Sequence, residues 1–302
     1  MKLEEKKRFS RASAGQCISE GISIIIPCYR EAFKVVEMTA NRIRGALDEV
    51  VGLNYEIILV NDGTEEAIDY EKLEDSIGLI CVNHKVNRGY GASLATGLSE
   101  ANYPWIGIID SDGTYPCEAF VEMVKEAGSY EMVIGARSWS EISFVRRPAK
   151  MALTLFASYL ANHRIPDLNS GMRVFHRRIY DENWRIYPER FSFSSTLTMA
   201  ALTHLKDVKF VSITYSRRIG KSFISPVRDT VRFLYQLLRL SLYFRPLRIF
   251  LPLSALLSFM AVARGLRDYS INQSLGGLTL IFFFMAFQVF FFGLIAEIIN
   301  KK

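Results

Sequence analysis

The stretch "IGIIDSDGTYP", residues 106–116, runs apolar for four positions and then delivers Asp110, Ser111, Asp112 and Gly113. A short apolar run closed by turn formers predicts a buried strand ending in a loop. In an extended segment residues i and i+2 point the same way, so both carboxylates can converge on one ligand. Like charges this close repel each other. A hard divalent cation such as Mg²⁺ or Mn²⁺ relieves that repulsion, since it is held by one or two carboxylates plus substrate phosphates. A plain turn would use the same residue types. The place at a strand end favours the ligand site.

Outward from this stretch, residues 20–215 alternate β-rich apolar runs with segments of helical spacing. The runs are "GISIIIP" (21–27), "YEIILVND" (55–62), "GLICVNH" (78–84), "WIGIID" (105–110), "EMVIGAR" (131–137) and "VKFVSITY" (208–215). Helical spacers include 31–51, 90–101 and 117–127. Continuous apolar strands between helices predict an α/β fold, a mostly parallel sheet with helices on both faces. Ligands of such sheets bind at the carboxyl ends of the strands. "PCYRE", "NDGT", "NRGYGAS", "DSDGTYP" and "GARS" all fall there.

The last quarter is chemically different. Residues 275–299 hold one charge, Glu297, in 25 positions, long enough to span a bilayer. An earlier run, 249–263, has 15 residues bracketed by Arg248 and Arg264, which can snorkel and so extend its reach. Together they predict a transmembrane helical hairpin. Arg228, Arg232, Arg239, Arg245 and Arg248 precede it and Lys301 and Lys302 follow it, so the positive-inside bias places both termini in the cytoplasm. The segment 225–246 opens with Ser225 and Pro226 as helix-start residues and sets arginines on one side, as an interfacial amphipathic helix would. The expected organisation is a tail over 1–19, a catalytic domain over 20–224, the interfacial helix over 225–246 and the hairpin over 247–302. The charged first residues lack the apolar run of a signal peptide.

Composition narrows the classes further. Lys and Arg exceed Asp and Glu by 37 to 31, but the excess sits beside the hairpin, so nucleic-acid binding is not indicated. Four cysteines and four histidines show no metal-ligand spacing and no paired framework. "NRGYGASLATGL" (87–98) lacks the Gly-Lys-Ser/Thr of a phosphate loop, and Leu94 replaces the third glycine of a dinucleotide fingerprint.

At the other strand ends, Asp62 can accept from a nucleobase N–H of uracil or guanine, or simply cap a turn. Pro27 closes the first strand, Tyr29 can cover a flat base, and Glu31 can bind ribose hydroxyls or start the next helix. Arg137, Arg146, Arg147, Arg173, Arg218 and Lys221 are candidates for phosphate oxygens, which a guanidinium matches with a planar fork. Arg146 and Arg147 equally suit a solvated helix start.

"IIIPCYREA", "ILVNDGT", "NRGYGAS" and "DSDGTYP", in this order, resemble the family 2 glycosyltransferases of GT-A fold. "VIGARS", "DLNSGMRVF" (167–175) and "RRIGKSF" (217–223) before a hairpin resemble the polyprenyl-phosphate glycosyltransferases of the dolichol-phosphate-mannose-synthase type. The resemblance implies transfer of a single sugar from a UDP- or GDP-sugar to a polyprenyl phosphate, with inversion. It implies a divalent ion at Asp110 and Asp112, a nucleoside held by Pro27, Tyr29, Glu31 and Asp62, and substrate contacts from Gly89 and Ser170. Asn61 stands where the family often has an aspartate, and Thr114 at a position that assists the metal in some members. Asp167 would be a base for a hydroxyl acceptor, or would orient Arg173 or the donor sugar for a phosphate acceptor. Acceptors of hydroxyl type stay open on these residues. Copies could associate through the hairpin helices.

Overall fold

The computed structural model describes residues 18, 20–64, 73–75, 78–138, 147–189, 192–214, 234–235 and 238–300. The chain divides into two compact units, Met1–Val227 and Arg228–Lys302.

In the first unit seven strands form one sheet in the order β3-β2-β1-β4-β6-β5-β7. They are β1 (Ile22–Cys28), β2 (Tyr55–Asn61), β3 (Ile80–Asn83), β4 (Trp105–Ile108), β5 (Met132–Arg137), β6 (Arg173–His176) and β7 (Val208–Ile213). All neighbours pair in parallel except β6, which runs antiparallel to both β4 and β5. The mostly parallel sheet expected from the apolar runs is therefore present. Residues 173–175, which close the motif "DLNSGMRVF", start this reversed strand.

The period-two alternation of β1 feeds both faces. Ile22, Ile24 and Ile26 pack with Val36, Ile43 and Leu47 of α1 (Phe33–Asp48) and Phe120 and Met123 of α3 (Ala119–Ala127). Ile25 packs on the opposite face with Leu94 and Leu98 of α2 (Tyr90–Glu100) and Phe193 and Leu197 of α6 (Phe193–Thr203). Each such buried side chain contributes about 1.5–3 kcal/mol by leaving water. Between these helices lie α4 (Arg147–Ala161), which packs on α6, and the short α5 (Arg178–Asp181).

The register explains where the sheet opens. β1 pairs β2 along its whole length to Cys28↔Asn61, but pairs β4 only as far as Ile25↔Ile108. Pro27, expected to end the strand, is followed by one more paired residue. Its missing N–H costs nothing because β4 has already diverged on that side. A crevice at the carboxyl ends, where strand order reverses around β1, is where such sheets bind ligands.

The second unit holds α7 (Leu247–Asn272) and α8 (Gly277–Asn300), which pack against each other as a hairpin. Each is long and apolar enough to cross a membrane. The first is much longer than the 15 apolar residues suggested. It continues past Arg264, whose Nε pairs with Asp268, one turn on, at 3.1 Å. Asp268 Oδ2 also accepts from Thr279 Oγ1 at 2.8 Å and the Gly276 N–H at 3.2 Å, tying the two helices at their connection. Phe259, Leu266, Phe284 and Ile299 are among the many large apolar side chains left exposed. Of the expected interfacial helix, residues 238–244 are helical, and most of the rest lies outside the described residues.

Candidate active site

The carboxyl end of β2 delivers Asn61 and Asp62, both buried. The Asp62 N–H bonds the Cys28 carbonyl at 2.8 Å, continuing the β1–β2 ladder one step beyond the strands. Its carboxylate turns towards the loop before α2. Oδ1 accepts from the Arg88 N–H at 2.8 Å and His84 Nδ1 at 2.9 Å, and Oδ2 from the Gly89 N–H at 2.8 Å. Gly89, with φ +104°, takes a backbone conformation that a side chain would oppose. Asn61 bonds Asn83 Oδ1 and accepts from the Thr64 N–H, and Thr64 Oγ1 accepts from the Arg30 N–H. These bonds stitch the ends of β1, β2 and β3 into one floor. Tyr29 and Glu31, both half-buried, stand just past the end of β1, where the Arg30 guanidinium lies 5.1 Å from the Tyr29 ring centroid.

Asp110 and Asp112 follow β4 on the other side of the crevice. Asp110 Oδ1 accepts from Tyr90 Oη at 3.0 Å. Asp112 Oδ1 accepts from the Thr114 N–H at 3.2 Å and its hydroxyl at 2.5 Å. Burial, together with the Asp112 charge, pushes the Asp110 carboxyl up to about 6 against the opposing Tyr90 hydrogen bond. Burial pushes the Tyr90 phenol well above its ordinary value, so it stays a neutral donor. Gly171 lies directly against Asp110, and a Cβ there would overlap Oδ2. The Gly171 N–H is held by Tyr115 Oη at 2.7 Å.

Arg137 ends β5 and meets Asp167. Its Nε lies 2.6 Å from Oδ2 and its Nη2 3.1 Å from Oδ1, a two-pronged pair. Lys150 Nζ reaches Oδ1 from α4 at 3.0 Å. Asp167 is fully buried, whereas the Arg137 and Lys150 side chains keep 20% and 19% exposure. Burial alone would raise the Asp167 carboxyl, but hydrogen bonds and charge from Arg137 and Lys150 hold it below the usual carboxylate range. Burial lowers the Lys150 ammonium against the pull of Asp167.

Arg173 occupies a different place from the phosphate-facing one expected of it. It opens β6 and is fully buried. Its Nη1 donates to the Ser194 carbonyl at 2.7 Å and to Thr198 Oγ1 at 3.3 Å, and its Nη2 donates to the Ser170 carbonyl. Asp167, expected to orient Arg173 or the donor sugar, is instead bonded to Arg137 and Lys150. Ser170 is fully buried beside it, its Oγ accepting from the Met172 N–H at 3.3 Å.

The strand-end residues Tyr29, Glu31, Asp62, Asp110, Asp112 and Arg137 thus share one edge of the sheet. Arg147 opens α4, with its side chain outside the described residues, as are Arg146, Arg218 and Lys221. Lys150, Tyr90 and His84 join the strand-end residues without being candidates on sequence grounds. Tyr90 stood inside the quoted "NRGYGAS", whereas Lys150 meets a partner 17 positions away and carries no local signal.

Among the described residues no group of three or more His, Cys, Asp or Glu side chains is placed to hold a metal ion. The Asp110–Asp112 pair still fits a divalent cation whose remaining ligands are phosphate and water. A carboxyl raised to about 6 first by burial and then by the charge of its neighbour is the arrangement a cation relieves.

Comparison with known proteins agrees with this architecture. Residues 245–301 match the family described as the GtrB C-terminal hairpin. A dolichyl-phosphate beta-glucosyltransferase of Trichomonas vaginalis, ALG5A, is 26% identical over 174 residues, 52% of this chain. The chain spans about half of that relative's length, 53%. A dolichyl-phosphate hexose transferase of Haloferax volcanii is 21% identical over 214 residues, covering 68% of this chain and 88% of its own. Among solved structures, glucosyl-3-phosphoglycerate synthase from Mycobacterium tuberculosis, in complex with Mn²⁺, uridine diphosphate and phosphoglyceric acid, superposes with TM-score 0.58 at 16% identity. It covers 78% of this chain and 82% of its own, a likeness of fold. Residues 23–184, from β1 through the 3₁₀ turn at Trp184, match the family described as Glycosyl transferase family 2. With more than half of its length matched and the sheet, crevice and carboxylate pair in place, the chain belongs to glycosyl transferase family 2.

Proposed function

We propose that the protein transfers one sugar from a UDP- or GDP-sugar to a polyprenyl phosphate, with inversion, at the cytoplasmic face of a membrane. The observation that carries this reading is how Asp167 is used. A hydroxyl acceptor needs a general base close to the sugar. Asp167 was the candidate, and it is fully buried, ion-paired on both oxygens and held below the usual carboxylate range. A carboxylate so committed is a poor base. It is a good anchor for two cations, and the cations it aims, Arg137 and Lys150, are the groups that an anionic acceptor requires. A phosphomonoester has a second pKa of about 6 and is largely dianionic at neutral pH, so it attacks without a base. The dolichyl-phosphate transferases among the relatives support the same acceptor class.

In this reading Asp110 and Asp112 hold Mg²⁺ or Mn²⁺, as the Mn²⁺ and uridine diphosphate in the structural neighbour also support. When bound, the ion neutralises charge developing on the diphosphate leaving group. Tyr90 and the bare backbone of Gly171 fix the Asp110 carboxylate, and Thr114 fixes Asp112. Pro27, Tyr29, Glu31, Asp62 and Gly89 form the nucleoside side of the crevice. Arg173 acts from beneath as a positioning residue, a buried charge tying Ser170 to α6. Arg147, Arg218 and Lys221 add positive charge for donor or acceptor phosphates. The apolar hairpin keeps the enzyme in the membrane that contains its lipid substrate, with both termini cytoplasmic by the positive-inside bias.

The test is a donor screen on detergent-purified protein. UDP- and GDP-sugars are offered with polyprenyl phosphate and Mg²⁺ or Mn²⁺, with Asp112→Ala in parallel. A lipid-linked sugar that requires the metal and disappears in the variant is expected. Transfer to a lipid alcohol but not to the lipid phosphate would overturn the reading.

A further inference from the structure

His84 is a buried imidazole that the mechanism above leaves unused. Its side chain is 5% exposed and links Asp62 on one side to Thr96 of α2 on the other. Ionised Asp62 can only accept, so His84 Nδ1 carries a proton and donates to Oδ1 at 2.9 Å. Nε2 meets the Thr96 hydroxyl, also at 2.9 Å. The His84 backbone N–H is spent on the Asn61 carbonyl at 2.9 Å, which fixes the ring's base next to Asp62.

A carboxylate offers about four lone-pair positions. The Arg88 N–H and His84 Nδ1–H fill both on Oδ1, and the Gly89 N–H takes one on Oδ2. Among the described residues a single open acceptor remains, on Oδ2. We infer that His84 is a positioning residue for nucleobase specificity: by saturating Oδ1 it leaves one direction in which Asp62 can read a base. This inference rests on the proposed role of Asp62 in holding the nucleoside. The bases it selects carry a ring N–H on the Watson–Crick edge, uracil at N3 or guanine at N1. Cytosine N3 and adenine N1 present a lone pair instead, which the carboxylate repels. Without His84, Oδ1 regains a free lone pair, the carboxylate can be approached from a second direction, and exocyclic amino groups of the wrong bases gain a partner.

The experiment measures dissociation constants of UDP, GDP, CDP and ADP at fixed Mn²⁺ on the full-length protein in detergent. The specificity ratio is CDP over UDP, or ADP over GDP, whichever pair contains the tighter ligand. An asparagine amide can take the place of Nδ1, and a glutamine amide that of Nε2, so the two variants separate donor from bulk. His84→Gln is expected to lower the ratio about five- to tenfold, the net worth of one typical hydrogen bond. His84→Asn is expected to hold it within about twofold. Both variants lose the ring, so a purely structural role lowers the thermal midpoint in both and moves the ratio in neither. That result overturns the inference, as does an equal fall of the ratio in both. Asp62→Asn separates the underlying reading: a wild-type ratio in that variant means that Asp62 does not read the base at all.

Discussion

Replacing Asp167 by asparagine removes one negative charge from between two cations and leaves the shape almost unchanged. Breaking a buried ion pair from one side costs about 3–5 kcal/mol. Here Arg137 and Lys150 keep about one-fifth of their side-chain surface in water, and the amide oxygen still accepts one of them. A value below that range, about 2–3 kcal/mol, therefore applies. At about 2–4 °C per kcal/mol for a unit of some 200 residues, the thermal midpoint should fall by about 5–10 °C. Activity should fall by a comparable free energy. A charge-assisted bond from a cation to phosphate is worth about 1.5–3 kcal/mol, and one of the two cations loses its aim, so kcat/KM should drop about 10- to 100-fold. The assay is transfer to polyprenyl phosphate well below the variant's midpoint, alongside thermal unfolding across pH. Unfolded aspartate titrates near 3.9, and folded Asp167 lies lower. Its stabilisation is therefore fully present above about pH 5 and is lost as pH falls through the folded value. The midpoint gap between wild type and variant should be flat from pH 5.5 to 8 and close only in stronger acid. Near-wild-type kcat/KM in a destabilised variant would refute the anchoring argument. So would an acid limb in the wild-type rate profile that Asp167→Asn abolishes, because that limb marks a working base.

Gly171→Ala places a methyl group where Asp110 Oδ2 now lies. It should displace the carboxylate and reduce transfer about 100-fold, with a smaller loss of thermal midpoint; unchanged turnover would mean that the contact does not fix Asp110. Arg173→Lys keeps the buried charge but loses the fork that serves Ser170, Ser194 and Thr198 at once. It should destabilise by about 3 kcal/mol, measured by denaturant unfolding, and lower kcat more than it raises the donor KM.

The strand-end clustering was legible because parallel strands buried on both faces leave continuous apolar runs, and the polar residue after each run falls on one edge. Asp62, Asp110, Asp112 and Arg137 were found that way. β6 was missed because four residues are too few for a period, and its reversed direction is decided by pairing with β4 and β5 far away in sequence. For the same reason Asp167 could be singled out but not given its partners. Lys150 and Arg137 reach it from a helix and a strand that only the folded sheet brings together. The first hairpin helix was read short because Arg264 and Asp268 look like an end to the apolar run, whereas one helical turn makes them a pair.

The reversal of β6 has an architectural consequence. Chain leaving β5 at Arg137 re-enters the sheet at Arg173, whose backbone pairs with Ile134 on that same strand. The described part of the passage between, α4 included, is an excursion with both feet planted at the same edge of the crevice. None of its described residues belongs to one of the seven strands, but Gly171 at its far foot packs on Asp110. Strand pairing thus leaves the length of this passage unconstrained, while Lys150 and Asp167 travel with it and Gly171 has to return to the same place.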